Sequence, residues 1–236
     1  MVARSALLAA ALACVPAGAQ ACRLALVLAI DVSSSVDARE DALQRGGLAR
    51  ALQAPEVVDA FFAGSEPVAL AAFEWSGRYN QAILLDWTLI RSPDGLADAA
   101  NQIARSTRSQ TEFPTSLGYA LGFASTLLAR APSCLFQTVD VAGDGENNDG
   151  FGPAEAYIAF PFDGVTVNGL VVNGADFEGE MMLVPYYENQ VIRGPGAFVE
   201  VANGFEDYEN AMRRKLLREL SVMAIGGIPT PSDPSG

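Results

Sequence analysis

The chain has 236 residues, 28 of them acidic against 15 basic, and no histidine. A net charge of −13 argues against nucleic acid as a partner, because phosphate binding needs a basic footprint; it suits attraction of metal cations. The absence of histidine removes Ser-His-Asp and Cys-His catalysis, His-based zinc sites and ordinary haem ligation in one step.

The first residues read as an address. Arg4 gives a positive start, Ala6 to Val15 is almost purely apolar, and Ala17-Gly18-Ala19 offers small residues for cleavage. The run is too short to span a bilayer and matches a secretory signal over residues 1–21, cleaved after Ala19 or after Ala21. The second frame would leave Cys22 first, as in a lipoprotein, but Ala19 stands where a lipid-attachment signal usually has a large aliphatic residue. No later stretch reaches the ~18 uninterrupted apolar residues of a membrane helix. The expectation is an exported protein of the periplasm, the cell surface or the exterior.

Arg23 to Asp31 is a continuous apolar run that ends in an acid, the pattern of a central strand buried on both faces. A helix from about Val36 to Gln53 follows, with Asp37 and Glu40 as a capping box. Pro67 to Trp75 is a second buried strand. Ala82 to Trp87 comes after a short polar turn and should pair with it as an antiparallel hairpin. Two helices, about Pro93 to Arg105 and Thr115 to Arg130, precede a strand from Leu135 to Ala142 and the turn Gly143-Asp144-Gly145. Val165 to Val172 and Ala197 to Ala202 are two more strands. A last helix is expected from Asn203, capped with Glu206, burying Phe205, Tyr208, Met212, Leu216 and Leu220 and turning basic Arg213, Arg214, Lys215 and Arg218 toward its later turns. Residues 225–236 form a Pro/Ser/Gly tail expected to be disordered. Strands alternating with helices predict one α/β domain over residues 22–224. It would be a doubly wound, mostly parallel six-stranded sheet with one antiparallel edge strand and helices on both faces.

In that architecture function sits at the carboxyl ends of strands. Asp31-Val-Ser33-Ser-Ser35 lies at the first such end, where alternate residues can converge as an all-oxygen half-shell for a hard cation. Taken alone the motif is weak, since a polar turn that caps the next helix has the same composition. Its order with Thr115, opening a helix, and Asp144, ending a buried strand, makes it specific.

These three elements resemble the metal-ion-dependent adhesion site of von Willebrand factor A-type domains. The resemblance implies Ser33, Ser35 and Thr115 as direct ligands of Mg²⁺, with Asp31 and Asp144 bound directly or through water. Mn²⁺ is an alternative ion, and Ca²⁺ is less expected because two carboxylates fall short of a calcium cage of four acids. The stretches ending at Asp37, Ser76, Ile90, Asn148, Leu170 and Phe198 together resemble a family of exported bacterial proteins of unknown function grouped with A-type domains, from Cys22 to about Met223. Two positions depart from the A-type pattern. Phe113-Pro114 replaces the usual Gly-Gly, and Gly143 precedes Asp144 where threonine is usual.

Cys14 belongs to the leader, so Cys22 and Cys134 remain: a disulfide in an oxidising compartment, or two buried thiols. The strand order of A-type domains decides between them, because it makes the first and fourth strands neighbours. Each cysteine stands about as far before its strand's ligand, Asp31 or Asp144, as the other.

Other readings compete for the same residues. Asp144, Glu146, Asn148 and Glu155 fall at EF-hand positions, but Asp149 replaces the glycine of the sharp turn and a strand precedes the loop. A looser second cation among Glu146, Asn147 and Asp149 is a further alternative to a solvated acidic loop. Asp140, mid-strand, reads as a satisfied buried acid, and Trp75, Trp87, Tyr186 and Tyr187 as packing aromatics. No catalytic constellation emerges, which leaves three functions. The first is a protein-binding module whose partner's acidic group completes the Mg²⁺ coordination. The second is a Mg²⁺-dependent hydrolase, and the third a domain whose metal is purely structural.

Overall fold

The structure is a computed structural model that describes residues 22–173 and 177–225; the expected leader and tail lie outside the described residues. Six strands, β1 (Cys22–Asp31), β2 (Val68–Trp75), β3 (Gln81–Ile90), β4 (Cys134–Gly143), β5 (Val165–Val172) and β6 (Val199–Ala202), form one sheet in the order β3-β2-β1-β4-β5-β6. All neighbours are parallel except β2 and β3, which make the antiparallel hairpin at the edge. The expected sheet is the observed one.

Every residue of β1 is buried, as a central strand between β2 and β4 requires. Its alternation divides the molecule. Leu24, Leu26, Leu28 and Ile30 face one core, with α1 (Ala38–Leu52), α2 (Pro55–Phe61), α3 (Pro93–Arg105) and α7 (Tyr208–Ile225). Val27 and Ala29 face the other, with α4 (Leu117–Leu128), α5 (Pro153–Ala159), α6 (Phe177–Tyr186) and the π-helical turn Tyr187–Val191. Helices therefore cover both faces.

Helix α1 starts where the capping box placed it. Asp37 Oδ1 accepts from Glu40 N at 2.8 Å, and Glu40 Oε2 accepts from Asp37 N at 2.7 Å, which satisfies two of the donors a helix start leaves open. The last helix begins differently from the Asn203–Glu206 expectation. Asn203 N donates to Asp207 Oδ2 at 3.2 Å, Gly204 turns at φ 76°, and a 3₁₀ turn (Phe205–Asp207) leads into α7. The apolar stripe of that helix is buried as expected. Lys215, however, does not serve the helix dipole. It is wholly buried within the stripe, its Nζ 2.7 Å from Asp140 Oδ1 and 2.6 Å from Glu219 Oε1. Asn168 Nδ2 donates to the same Glu219 oxygen at 2.7 Å, which ties α7 to β5.

A disulfide joins Cys22 and Cys134, whose Cα atoms are 4.4 Å apart. The register pairs these two residues directly at the amino-terminal edge of β1 and β4. The carboxyl ends of the same two strands, where the strand order changes direction, meet at the opposite edge.

Candidate metal centre

At that edge β1 delivers Asp31, fully buried, and the loop after it turns back so that Ser33 N donates to Asp31 Oδ1 at 2.7 Å. Ser33 Oγ and Ser35 Oγ lie 3.1 Å apart, Thr115 Oγ1 donates to Ser33 Oγ at 3.2 Å, and Ser35 Oγ donates to Asp144 Oδ1 at 2.8 Å. The structure thus brings all five sequence-predicted residues together in one connected cluster of oxygens. The second oxygen of Asp31, Oδ2, is buried without a hydrogen-bond partner. Such an atom is costly to leave unpaired, and a cation would satisfy it.

The electrostatics point the same way. Burial and then the nearby Asp144 carboxylate push the Asp31 carboxyl up to about 8. Burial also raises Asp144, against the opposing effect of its Ser35 hydrogen bond. Two carboxylates held together with little water resist being charged at once, and a divalent ion removes that conflict. Among the described residues no cluster of three or more His, Cys, Asp and Glu could hold a metal, and the candidate donor set here is two carboxylates with hydroxyls. That chemistry fits a hard cation.

Several residues that position the loops escaped the sequence reading. Arg108 donates to the carbonyls of Val36 (2.6 Å), Val32 (2.7 Å) and Ser33 (2.8 Å), so one guanidinium holds the whole Asp31–Val36 turn. It is itself anchored from behind. Ser109 N donates to Glu74 Oε1 at 2.7 Å, and Arg45 of α1 donates to Glu74 Oε2 and to Ser106 Oγ. Gln44 Nε2 adds a bond to the Asp31 carbonyl at 2.8 Å. Removing Arg108 strands three carbonyls. Arg108→Ala is expected to cost about 1.5–3 kcal/mol and to speed hydrogen exchange at the Ser34 and Val36 amides, measured by mass spectrometry. Exchange unchanged from wild type would show the turn to be rigid without it.

The acidic loop after β4 has a comparable role. Asn148 Oδ1 accepts from Thr115 N at 2.9 Å, and Asn148 N returns a bond to the Thr115 carbonyl at 3.0 Å. Asn147 Oδ1 accepts from Gly118 N (3.3 Å), and Asp149 takes Ser116 Oγ (2.9 Å) and the Arg78 guanidinium (2.7 Å). Glu155 caps α5 by accepting from Gly152 N at 3.1 Å. Of the EF-hand positions, Asp144, Asn148 and Glu155 therefore turn to separate partners, and the loop acts as a clasp on the threonine. Gly118 makes the close approach possible, because a Cβ there would lie 2.2 Å from the Phe151 carbonyl oxygen.

Two tyrosines reach the site from the other side. Tyr186 Oη accepts from Asn147 N at 3.2 Å. Tyr187 is fully buried, and burial and then the Asp31 and Asp144 carboxylates raise its phenol well above the ordinary value. Asp140, read as a satisfied acid, is buried beside Lys215 on the α7 side of the sheet. Trp75 is core, and Trp87 donates Nε1 to the Leu127 carbonyl at 2.9 Å.

Comparison with solved structures shows the fold. Proximal thread matrix protein 1 from the mussel byssus matches with a TM-score of 0.60 at 14% identity, over 85% of this chain and 48% of that one. A second structure of it, with a zinc-occupied MIDAS motif, matches at 0.58 and 15%, with the same coverage. A von Willebrand factor type A protein from Catenulispora acidiphila matches at 0.58 and 12% (85% and 43% covered), and the pilus adhesin SpaC from Lactobacillus rhamnosus GG at 0.58 and 12% (86% and 31%). The chain thus spans less than half the length of these neighbours, and the shared part is the von Willebrand factor A-like fold. No curated protein matches in sequence. The family model described as protein of unknown function (DUF1194) matches residues 21–224.

Proposed function

We propose a function for a chain that belongs to the DUF1194 family of unknown function: it binds other proteins through a divalent cation, as an adhesion or scaffold module outside the cytoplasm. The observation that carries this reading is the cluster of Asp31, Ser33, Ser35, Thr115 and Asp144 with one buried, unpartnered carboxylate oxygen. Ser33, Ser35 and Thr115 would hold the ion directly, and Asp31 and Asp144 directly or through water. Oxygen donors alone favour Mg²⁺ or Mn²⁺, and two carboxylates are fewer than a calcium cage usually supplies. Bound there, the cation supplies a positive centre for an acidic group. Two carboxylates balance its charge and the three hydroxyls are neutral, so the site carries no excess negative charge to repel an incoming anion, as a calcium cage of four acids would.

Two neighbours support this reading. One carries zinc in the corresponding motif, and another is a pilus adhesin. The disulfide belongs to an oxidising compartment, which supports export to the periplasm or beyond. No helix among the described residues is long and apolar enough to cross a membrane.

Mg²⁺ or Mn²⁺ at 100 times its dissociation constant is expected to stabilise the wild type by about 2.7 kcal/mol, and Asp31→Ala not at all. Thermal melting in a metal titration measures this, and equal responses would show the site to be misassigned. Ser33→Ala and Thr115→Ala should weaken the response while the metal-free fold persists; collapse of that fold would favour a purely structural ion. Pull-down from envelope extract with and without EDTA tests the binding role. Partners retained equally in both would refute it, and phosphatase or nuclease turnover lost in Asp31→Ala would favour a hydrolase.

A further inference from the structure

We infer that Tyr187 is a positioning residue of the metal centre, its phenol donating to the free carboxylate oxygen of Asp31 through a gap left by glycines in the sheet. The inference rests on reading the cluster as a metal centre, and it adds a residue far from the motif.

The gap has two glycines, one on each of two neighbouring strands. Gly143 ends β4, and Gly169 lies on β5, where the register pairs Val141 with Gly169 and Gly143 with Val171. Both would carry side chains toward the same ring. A Cβ on Gly169 would lie 2.7 Å from Tyr187 Cδ1, and one on Gly143 would lie 2.6 Å from the Tyr187 hydroxyl. The ring therefore lies along the sheet with its hydroxyl toward the carboxyl end of β4, the end that carries the site. A side chain at either glycine would strike it.

What the hydroxyl meets there is Asp31. The position of a Gly143 Cβ is also 3.0 Å from Asp31 Oδ2, so the hydroxyl and the carboxylate oxygen face each other across the space that glycine leaves. Both atoms are buried, and both lack a hydrogen-bond partner. One is a donor and the other an acceptor. A small shift of either, or one bridging water, joins them. The opposite oxygen of Asp31 is already fixed by Ser33 N at 2.7 Å. Tyr187 would hold the remaining oxygen through one lone pair and leave the other lone pair to the cation, and outer partners of this kind orient a metal-binding carboxylate.

The local chain geometry serves this placement. Tyr187 opens a π-helical turn, with Ile192 N donating to its carbonyl at 3.0 Å, and such turns recur at functional sites. The adjacent Tyr186 hydroxyl takes the Asn147 amide at 3.2 Å. Consecutive tyrosines thus reach the loop beyond β4 and the floor beneath it.

Tyr187→Phe separates this role from packing, because it keeps the ring and removes only the hydroxyl. Mn²⁺ binding by calorimetry, with metal-free melting temperature alongside, is the test on the full chain. Tyr187→Phe is expected to bind Mn²⁺ roughly 10-fold or more weakly, with its metal-free melting temperature unchanged or raised. Unchanged affinity overturns the inference, and so does an affinity loss matched by a fall in metal-free melting temperature. Failure of the wild type to bind Mn²⁺ overturns the metal-centre reading and this one with it. Gly143→Ala tests the gap itself. It should weaken Mn²⁺ binding, and adding Tyr187→Phe to it should raise the metal-free melting temperature by removing the clash. Absence of that rise overturns the proposed geometry.

Discussion

Lys215→Met is expected to destabilise the protein by about 3–5 kcal/mol at neutral pH, and the deficit should shrink on acidification. The size follows from what the substitution leaves behind. Methionine fills much the same space, but Asp140 and Glu219 lose the ammonium that both contact at 2.6–2.7 Å, and breaking a buried pair on one side costs about that much. The pH dependence follows from Asp140. Burial pushes its carboxyl up to about 7, with Lys215 opposing that rise and Glu219 adding to it; without the lysine it is driven further up. The folded variant then keeps a proton that the unfolded chain, with an aspartate near ~3.9, has released. Its stability must fall as pH rises from about 4 toward neutral. The wild type should show the same sign with smaller amplitude. Urea unfolding of both proteins across that range measures it. A deficit constant with pH would mean that packing around the methylene stem, not charge, is what the lysine provides. Adding Asp140→Asn to Lys215→Met should recover part of the loss, because it removes one of the two uncompensated acids.

The second large effect is expected at the opposite edge of the sheet. Replacing both Cys22 and Cys134 by serine opens a crosslink between residues 112 apart in sequence. Chain entropy values a loop of that length at about 4–5 kcal/mol, as an upper figure. Denaturant unfolding of the oxidised wild type and the double serine variant gives the number. A loss below about 1 kcal/mol would mean that the unfolded chain already keeps β1 and β4 together. The metal response should survive in the variant, because the bridge and the oxygen cluster occupy opposite ends of the same two strands. Loss of both would mean that strand register at the site depends on the bridge. Non-reducing mass spectrometry of the protein gives an independent check, since a thiol bonded to Cys134 leaves no anchor for lipid on Cys22.

The disulfide was legible in the sequence, and the burial of Lys215 was not. The sheet was readable because β1 and β2 are nearly unbroken apolar runs, and such runs have one common use in an α/β protein. Asp31 was readable because it ends such a run, and Asp144 because it stands in a glycine turn just past a strand. Helices α2 and α5 went unread, since seven residues are too few for a helical period to show against the background. Arg108 could not be found from spacing. Its partners Val32, Ser33 and Val36 lie 72–76 residues away, and an exposed arginine looks the same in sequence. Asn148 was weighed as an EF-hand position and set aside, and nothing in the sequence showed that its amide oxygen serves Thr115. Gly143 was seen only as a departure from a pattern. Its meaning needs the ring of Tyr187, which arrives from 44 positions downstream through a π-helical turn that no periodicity announces. Lys215 was misread because three arginines surround it on α7. Only the helix's packing shows that it faces inward while they do not.

That lysine is the only one in the chain, and it has no exposed surface. The nearby carboxylates also hold its ammonium protonated, above the ordinary lysine value despite burial. An amine-directed acylating reagent therefore has no lysine side chain to attack while α7 stays on the sheet. Slow acylation at Lys215, followed by peptide mapping, becomes a clock for detachment of that helix. It requires no label to be engineered, and peptide mapping separates it from acylation at the chain's amino terminus.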